Sequence, residues 1–326
     1  MPVPQRFGIT VPLGGQPLHA QRDSIVELAD LGYTDLWTAE SDGFDGFTPL
    51  ALASQWAPSM RLGIAIVPAY TRGPALMAQT VSAICSAAPG RFAMGLGSSS
   101  NVIVERWNGI AFEEPYKKTR DMARFLKAAL TGEKVVESYE TFEVNGFRLS
   151  SPPEQQPPIL IAGLRSGMLR MAGREGDGAI INWLGAEDVP TVTQYVHEGG
   201  PDKEICARIF VCPNPDTETV RAQAKRAIAA YMNVPVYAAF QQWLGRGDRL
   251  QGMWDAWSAG DRKAALDAIP DSVVDELVVH GSPEECREHI DRYHANGVTT
   301  SAIAILPFGG IDPLQAARDL SPAARS

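Results

Sequence analysis

The stretch RFAMGLGSSSNVIVERWNG, residues 91–109, runs a short apolar strand directly into a glycine and three consecutive serines. A turn so rich in Gly and Ser lets backbone N–H groups approach a phosphate or a planar ring closely. Alone, Gly-X-Gly-Ser after a strand is more often a tight turn than a site. Two further strand ends carry the same kind of punctuation, RLGIAIVPAYTR at 61–72 and PPILIAGLRSGMLRMAG at 157–173, and the recurrence gives the signal weight.

Working outward, apolar runs of strand length alternate with helical patterns, the signature of βαβ units and a parallel sheet. The pattern predicts strands over 6–11, 33–38, 62–67, 92–96, 159–162, 178–182, 206–212 and 301–306. Helices are predicted over 18–31, 48–57, 74–88, 116–131, 166–175, 187–198, 217–231 and 283–296. Ser282, Pro283 and Glu285 supply an N-cap, a first-turn proline and a capping-box acid for the last helix, and Gly297 is placed to stop it. Eight strands predict an α/β fold of the (β/α)8 TIM-barrel type. At 326 residues and 35.2 kDa the chain fits one barrel domain, 1–326, with insertions.

Two segments exceed what a minimal barrel needs. Residues 132–158 contain ESYETFEVNGFRLS, which predicts a β-hairpin turning at Asn145-Gly146 with type I′ geometry. Residues 232–280, with Trp243, Trp254 and Trp257 among Gly and Asp, predict a helical insertion. Both are expected to overhang the C-terminal face, where active sites of this fold lie. His280, just before the capped helix, reads as a loop residue.

The net charge of −9 and pI near 5.1, with no basic run, argue against nucleic acid or an anionic membrane as partner. Cys85, Cys206, Cys212 and Cys286 are scattered without a CxxC pair, and His289 and His294 lack metal-ligand spacing, so no metal is expected. Reduced thiols, no signal-like N-terminus and no uncharged run of about 18 residues predict a soluble, cytoplasmic protein. A homodimer is expected because dimers are the commonest soluble assembly.

The run APGRFAMGLGSSSNVIVERWNGIAFEEPYKKTRD, the strand LGIAIVPAYTR, and ILIAGLRSG followed by GREGDGAIINW resemble the luciferase-like flavin superfamily. Within it they are most similar to the deazaflavin-dependent branch that includes methylene-tetrahydromethanopterin reductase. The resemblance covers nearly the whole chain.

It implies a cofactor site built from three places. A bulge at Ala65, Ile66 and Val67, with a non-prolyl cis peptide at Ala65-Ile66, supports the ring. The fourth-strand loop, Gly97, Ser98, Ser99 and Asn101, lies beside the ring or its ribityl chain. The loop Ala162, Gly163, Leu164, Arg165, Ser166 and Gly167 precedes a helix, so its amides and the helix N-terminus form an anion site for the phosphate, with Arg165 adding charge. Arg72, Arg170 and Arg174 read better as solvated surface residues.

The sequence departs from the family pattern at the chemistry. Where several relatives carry an Asp-His pair and a loop glutamate, this chain has Glu40-Ser41 and Ser100, which makes these three the candidate catalytic residues. Loss of the His argues against sugar-alcohol dehydrogenation. Glu40 is a candidate acid or base, or a hydrogen-bonded barrel residue. Glu105 and Trp107 fit a motif of the deazaflavin branch or anchor the insertion. Trp37 and Trp183, at strand ends, line the ring pocket or pack the core. The implied activity is hydride transfer between coenzyme F420 and a small organic substrate. The alternatives are an FMN-dependent monooxygenase and a barrel that binds a flavin-like ligand without catalysis.

Overall fold

A computed structural model describes residues 3–14 and 16–325. Twelve strands are present in chain order: β1 (Arg6–Thr10), β2 (Asp35–Thr38), β3 (Arg61–Ile64), β4 (Val67–Pro68), β5 (Phe92–Gly97), β6 (Val135–Ser138), β7 (Glu143–Phe147), β8 (Ile159–Ala162), β9 (Gly178–Asn182), β10 (Glu204–Cys212), β11 (Val279–His280) and β12 (Thr300–Ile305). Parallel pairing runs β12-β1-β2-β3-β5-β8-β9-β10 and returns from β10 to β12, which closes an eight-stranded barrel. These eight strands coincide with the eight apolar runs of the sequence. Closure removes the sheet edges that would otherwise need protection.

Helices cover the outside, from Arg22–Asp30 through Thr48–Trp56, Pro74–Ala87, Pro115–Ala129, Ser166–Glu175, Val189–His197 and Thr217–Met232 to Pro283–Ala295. The last starts as the sequence predicts: Glu285 N–H donates to Ser282 Oγ at 3.2 Å, and Ser282 N–H donates to Glu285 Oε2 at 2.7 Å.

The barrel interior is stacked in layers. At its N-terminal end Arg61 bonds Asp35 at 2.8 Å and Glu204 at 2.5 Å, while Arg6 reaches Asp35 at 3.0 Å. Above them Trp37, Ala93, Leu160, Cys206 and Ala302 form an apolar plug together with Ala65 and Ile180. Trp37 is fully buried, so it packs the plug and does not line a ligand pocket. The plug closes the barrel from below, and the open end is the C-terminal mouth.

The first insertion differs from expectation in an instructive way. The hairpin β6-β7 turns at 139–142, and Asn145-Gly146 lies inside β7. Val135 pairs Phe147 while Val136 pairs Asn145, so Gly146, at φ 88°, is the extra residue of a bulge. The Asn-Gly pair supplies the positive φ that the sequence signals, but a bulge spends it instead of a turn. The hairpin follows the helix Pro115–Ala129. It packs Tyr139, Phe142 and Phe147 on Phe125 of that helix and leaves the mouth clear.

The second insertion is helical: Pro235–Trp243, Gly247–Ser258, Arg262–Asp267 and Asp271–Leu277. Its core gathers Met232, Leu250, Met253 and Val274 around Trp183 and Phe210, whose rings are 4.2 Å apart. Trp183 is thus a core residue. His280 belongs to strand β11 rather than a loop, with Nε2 2.8 Å from Asp275 Oδ1. Among the described residues no helix is long and apolar enough to cross a membrane, and no group of His, Cys, Asp and Glu side chains is arranged to hold a metal.

Candidate active site

A cavity of about 420 Å³ opens at the C-terminal mouth, directly above the apolar plug. Its floor begins at the end of β3, where the Ala65-Ile66 peptide is cis and both residues face the cavity. Gly95 of β5 makes this backbone path feasible: a β-carbon there would run into the Ile64 carbonyl oxygen. Val67 continues instead into β4, pairs with Leu96 and is fully buried away from the opening.

The loop after β5 contributes Ser98 and Ser99, the latter in the left-handed region at φ 63°. Gly97, Ser100 and Asn101 do not line the cavity. Ser100 Oγ accepts from the Ile103 amide at 3.4 Å and helps start the irregular helical turn Val102–Trp107. In that turn Glu105 is exposed and Trp107 is 55% exposed, so neither reaches the site.

The loop after β8 contributes every residue the sequence points to: Ala162, Gly163, Leu164, Arg165, Ser166 and Gly167. Helix Ser166–Glu175 begins here without a side-chain cap, and Ser166, Gly167 and Met168 of its first turn border the cavity. Free first-turn amides and the positive end of a helix favour an anion. Arg165, at the N-cap, adds a full positive charge. Neither Arg170 nor Arg174 lines the cavity: Arg170 bonds Glu198 at 2.9 Å, and Arg174 donates to the hydroxyl of Tyr116, a wall residue, at 3.0 Å.

The candidate catalytic residues lie apart from the cavity. Both Glu40 oxygens accept from Arg72 Nη1, at 2.7 and 2.9 Å, and Glu40 Oε2 also accepts from the Gly46 amide at 3.3 Å. Arg72, read from sequence as a solvated residue, is therefore a partly buried clamp stacked 5.1 Å from the Phe47 ring. Ser41 is exposed and donates to Asp42 at 2.9 Å. Glu40 still touches the cavity floor through its backbone, because its N–H donates to the Ile66 carbonyl at 3.3 Å.

The remaining walls come from residues that sequence reading missed. Ile180 and Asn182 of β9 and Arg208 of β10 form the inner wall; Tyr116 joins from helix Pro115–Ala129; Val236, Tyr237 and Trp243 roof the cavity from the second insertion. Burial raises the Tyr237 pKa above the ordinary tyrosine value, although its hydrogen bond with Asn182 opposes the shift. Burial lowers the Arg208 pKa, opposed by Tyr231 and Tyr237. The lining residues include two arginines and no carboxylate. The arrangement suits an elongated ligand with an apolar planar part and an anionic part.

The sequence model of the family described as luciferase-like monooxygenase matches residues 3–300. A Mycobacterium tuberculosis protein provisionally named a coenzyme F420-dependent oxidoreductase is 25% identical over 319 residues, covering 89% of this chain and 92% of that protein. The 5,10-methylenetetrahydromethanopterin reductase of Methanolobus tindarius is 24% identical over 288 residues, covering 85% of this chain and 87% of that enzyme. Among solved structures, the coenzyme F420-dependent tetrahydromethanopterin reductase of Methanopyrus kandleri has the same fold, with a TM-score of 0.82 at 17% identity over 98% of both chains. With a family match spanning nearly the whole barrel, the chain belongs to the luciferase-like monooxygenase family of enzymes.

Proposed function

We propose that this enzyme is a coenzyme F420-dependent oxidoreductase that transfers a hydride between the deazaflavin and a small organic substrate, in the direction of reducing an activated C=C, C=N or C=O bond. One observation carries the reading. A single cavity joins the apolar floor at Ala65 and Ile66 to the uncapped helix N-terminus beside Arg165. The Mycobacterium tuberculosis relative named for coenzyme F420 supports it.

The residues present fit the coenzyme. Ala65, Ile66, Ala162 and Ile180 offer apolar contact to a planar ring, and the amides of Ser166, Gly167 and Met168 with Arg165 offer donors and charge to a phosphate. A volume of about 420 Å³ falls within the range of about 300–1,000 Å³ for cofactor and ligand clefts. When bound, a deazaflavin supplies two-electron hydride chemistry at the carbon that replaces the flavin nitrogen. The chain's own side chains orient the ligands and exclude water, with Tyr237 and Trp243 as the roof. Tyr237 is held there by the hydrogen bond of its side chain with Asn182.

The family description favours a second reading, an FMN-dependent monooxygenase fed by a reductase partner. Separate titrations of the apo protein with coenzyme F420 and FMN decide between them. Tighter F420 binding, with steady oxidation of reduced coenzyme by one of a panel of enones, imines and ketones, is the expected result; preferential FMN binding overturns it. We also propose a homodimer, checked by sedimentation, and a reducing cytoplasmic setting, supported by four buried free cysteines.

A further inference from the structure

Strand β10 reads EICARIFVC, an apolar run interrupted at one inward position by Arg208. Cys206 and Phe210 lie on the same side of the strand, and the register places Arg208 beside Asn182 of β9 and Ala302 of β12. Among the described residues the Arg208 side chain makes no hydrogen bond or ion pair. Its Nε is buried without a partner, and its guanidinium carbon stands 5.3 Å from the Phe210 ring.

Other arginines withdrawn from solvent have partners: Arg91 and Arg287 bond backbone carbonyls, and three are neutralised by carboxylates. Arg61 bonds Asp35 and Glu204, Arg72 bonds Glu40, and Arg246 bonds Asp188 and Glu276. Arg208 alone in this group faces cavities without a carboxylate: the main one, and an adjoining space of about 130 Å³ bounded by Leu13, Phe210 and Leu306. A desolvated cation without a counter-charge is unfavourable, so such a group is retained where a ligand completes it.

We propose that Arg208 is the receptor for an anionic group of the substrate, and that the substrate is a small organic carboxylate. The inference rests on the hydride-transfer reading for the word substrate and on the geometry alone for the anion site. The coenzyme phosphate is served elsewhere, by the helix start after β8, two strands and so about 10 Å around the barrel from β10. A monoanion is selected because one guanidinium, with the neutral Asn182, Tyr231 and Tyr237 nearby, balances one negative charge. A phosphate dianion would leave charge stranded among Ala65, Ile66 and Ile180. The planar fork of arginine also matches the two oxygens of a carboxylate.

The test is calorimetric titration of the coenzyme-free protein with acrylate, crotonate, pyruvate and cinnamate, each against its amide, and with phenyl phosphate. At least one carboxylate should bind about tenfold or more tighter than its amide, the least expected of a charge-assisted hydrogen bond. Arg208→Met should erase that preference, and Arg208→Lys should keep part of it. Phenyl phosphate binding should survive Arg208→Met and fail in Arg165→Ala. Arg208→Met should leave Tm unchanged or higher, because it removes an uncompensated charge. The proposal is overturned if no carboxylate outbinds its amide, if the preference survives Arg208→Met, if phenyl phosphate binds best and depends on Arg208, or if Arg208→Met lowers Tm. A parallel F420 titration of both proteins keeps the two readings separate: F420 failing to bind sinks the coenzyme assignment without touching the carboxylate preference.

Discussion

The indole of Trp37 lies across Gly8 of the neighbouring strand, where a β-carbon would stand 2.6 Å from the ring's Cδ1 atom. Gly63, on the strand at its other side, is approached even more closely. Two glycines therefore make room for one large side chain that plugs the barrel beneath the cavity. Gly8→Ala should destabilise the protein by about 1–3 kcal/mol, the range for overpacking a filled core. Urea unfolding checks this, and an unchanged midpoint would mean that the plug is not close-packed.

The barrel was legible because its eight inner strands are continuous apolar runs and several helix boundaries carry explicit caps such as Ser282 and Glu285. The phosphate loop was legible for the same reason, since a Gly and Ser turn between strand and helix is a local signal. The roof was not. Tyr237 and Trp243 reach the cavity only because an insertion folds back over the mouth, and no local pattern in 232–280 says which face turns inward. Arg208 did leave a signal, a lone charge inside the apolar run of β10, but strand periodicity alone does not distinguish a mouth residue from a snorkelling one. Glu40 was ambiguous for the opposite reason: its place in the chain matches a catalytic position, while its partner Arg72 is 32 residues away and visible only in three dimensions.

Arg165 offers the most direct check on the anion site. Arg165→Ala should weaken coenzyme binding by about 1.5–3 kcal/mol, the range for a hydrogen bond to a charged group. Arg170→Ala serves as the control, because Arg170 is occupied by Glu198 on the outer surface. Equal losses in the two variants would indicate a long-range charge effect, and no loss in Arg165→Ala would put the phosphate elsewhere.

The ion layer at the N-terminal end of the barrel makes stability depend on acid. Burial raises the Glu204 pKa, but hydrogen bonding and charge from Arg61, with help from Thr300, outweigh it, so the net shift is downward from 4.5. A carboxyl depressed in the folded state contributes stability above its unfolded value that is lost as pH falls through the folded one. Glu204→Gln should therefore cost about 2–3 kcal/mol at neutral pH, somewhat under the 3–5 typical of a broken buried pair because Asp35 still holds Arg61. It should also flatten the loss of stability below about pH 4.5. Urea midpoints measured from pH 7 down to 3 test both parts, and parallel curves for the two proteins would refute the assignment.

Glu40→Gln separates a proton-transfer role from a clamping one. A carboxylate that moves a proton in the rate-limiting step loses about 10²–10⁴-fold in rate when replaced by its amide. Glu40 does not line the cavity, and Arg72 occupies both of its oxygens. The expected result is a clamp defect, a loss of about 1–3 kcal/mol in stability because Arg72 is left partly buried without its partner. Coenzyme affinity should stay nearly intact, since only the Glu40 backbone amide reaches the floor at Ile66 and that amide is retained. Stopped-flow oxidation of reduced coenzyme, run beside thermal unfolding, gives both readouts. A hundredfold fall in rate with an unchanged Tm would return Glu40 to the chemistry, and would require the Arg72 pair to open when the ligands bind.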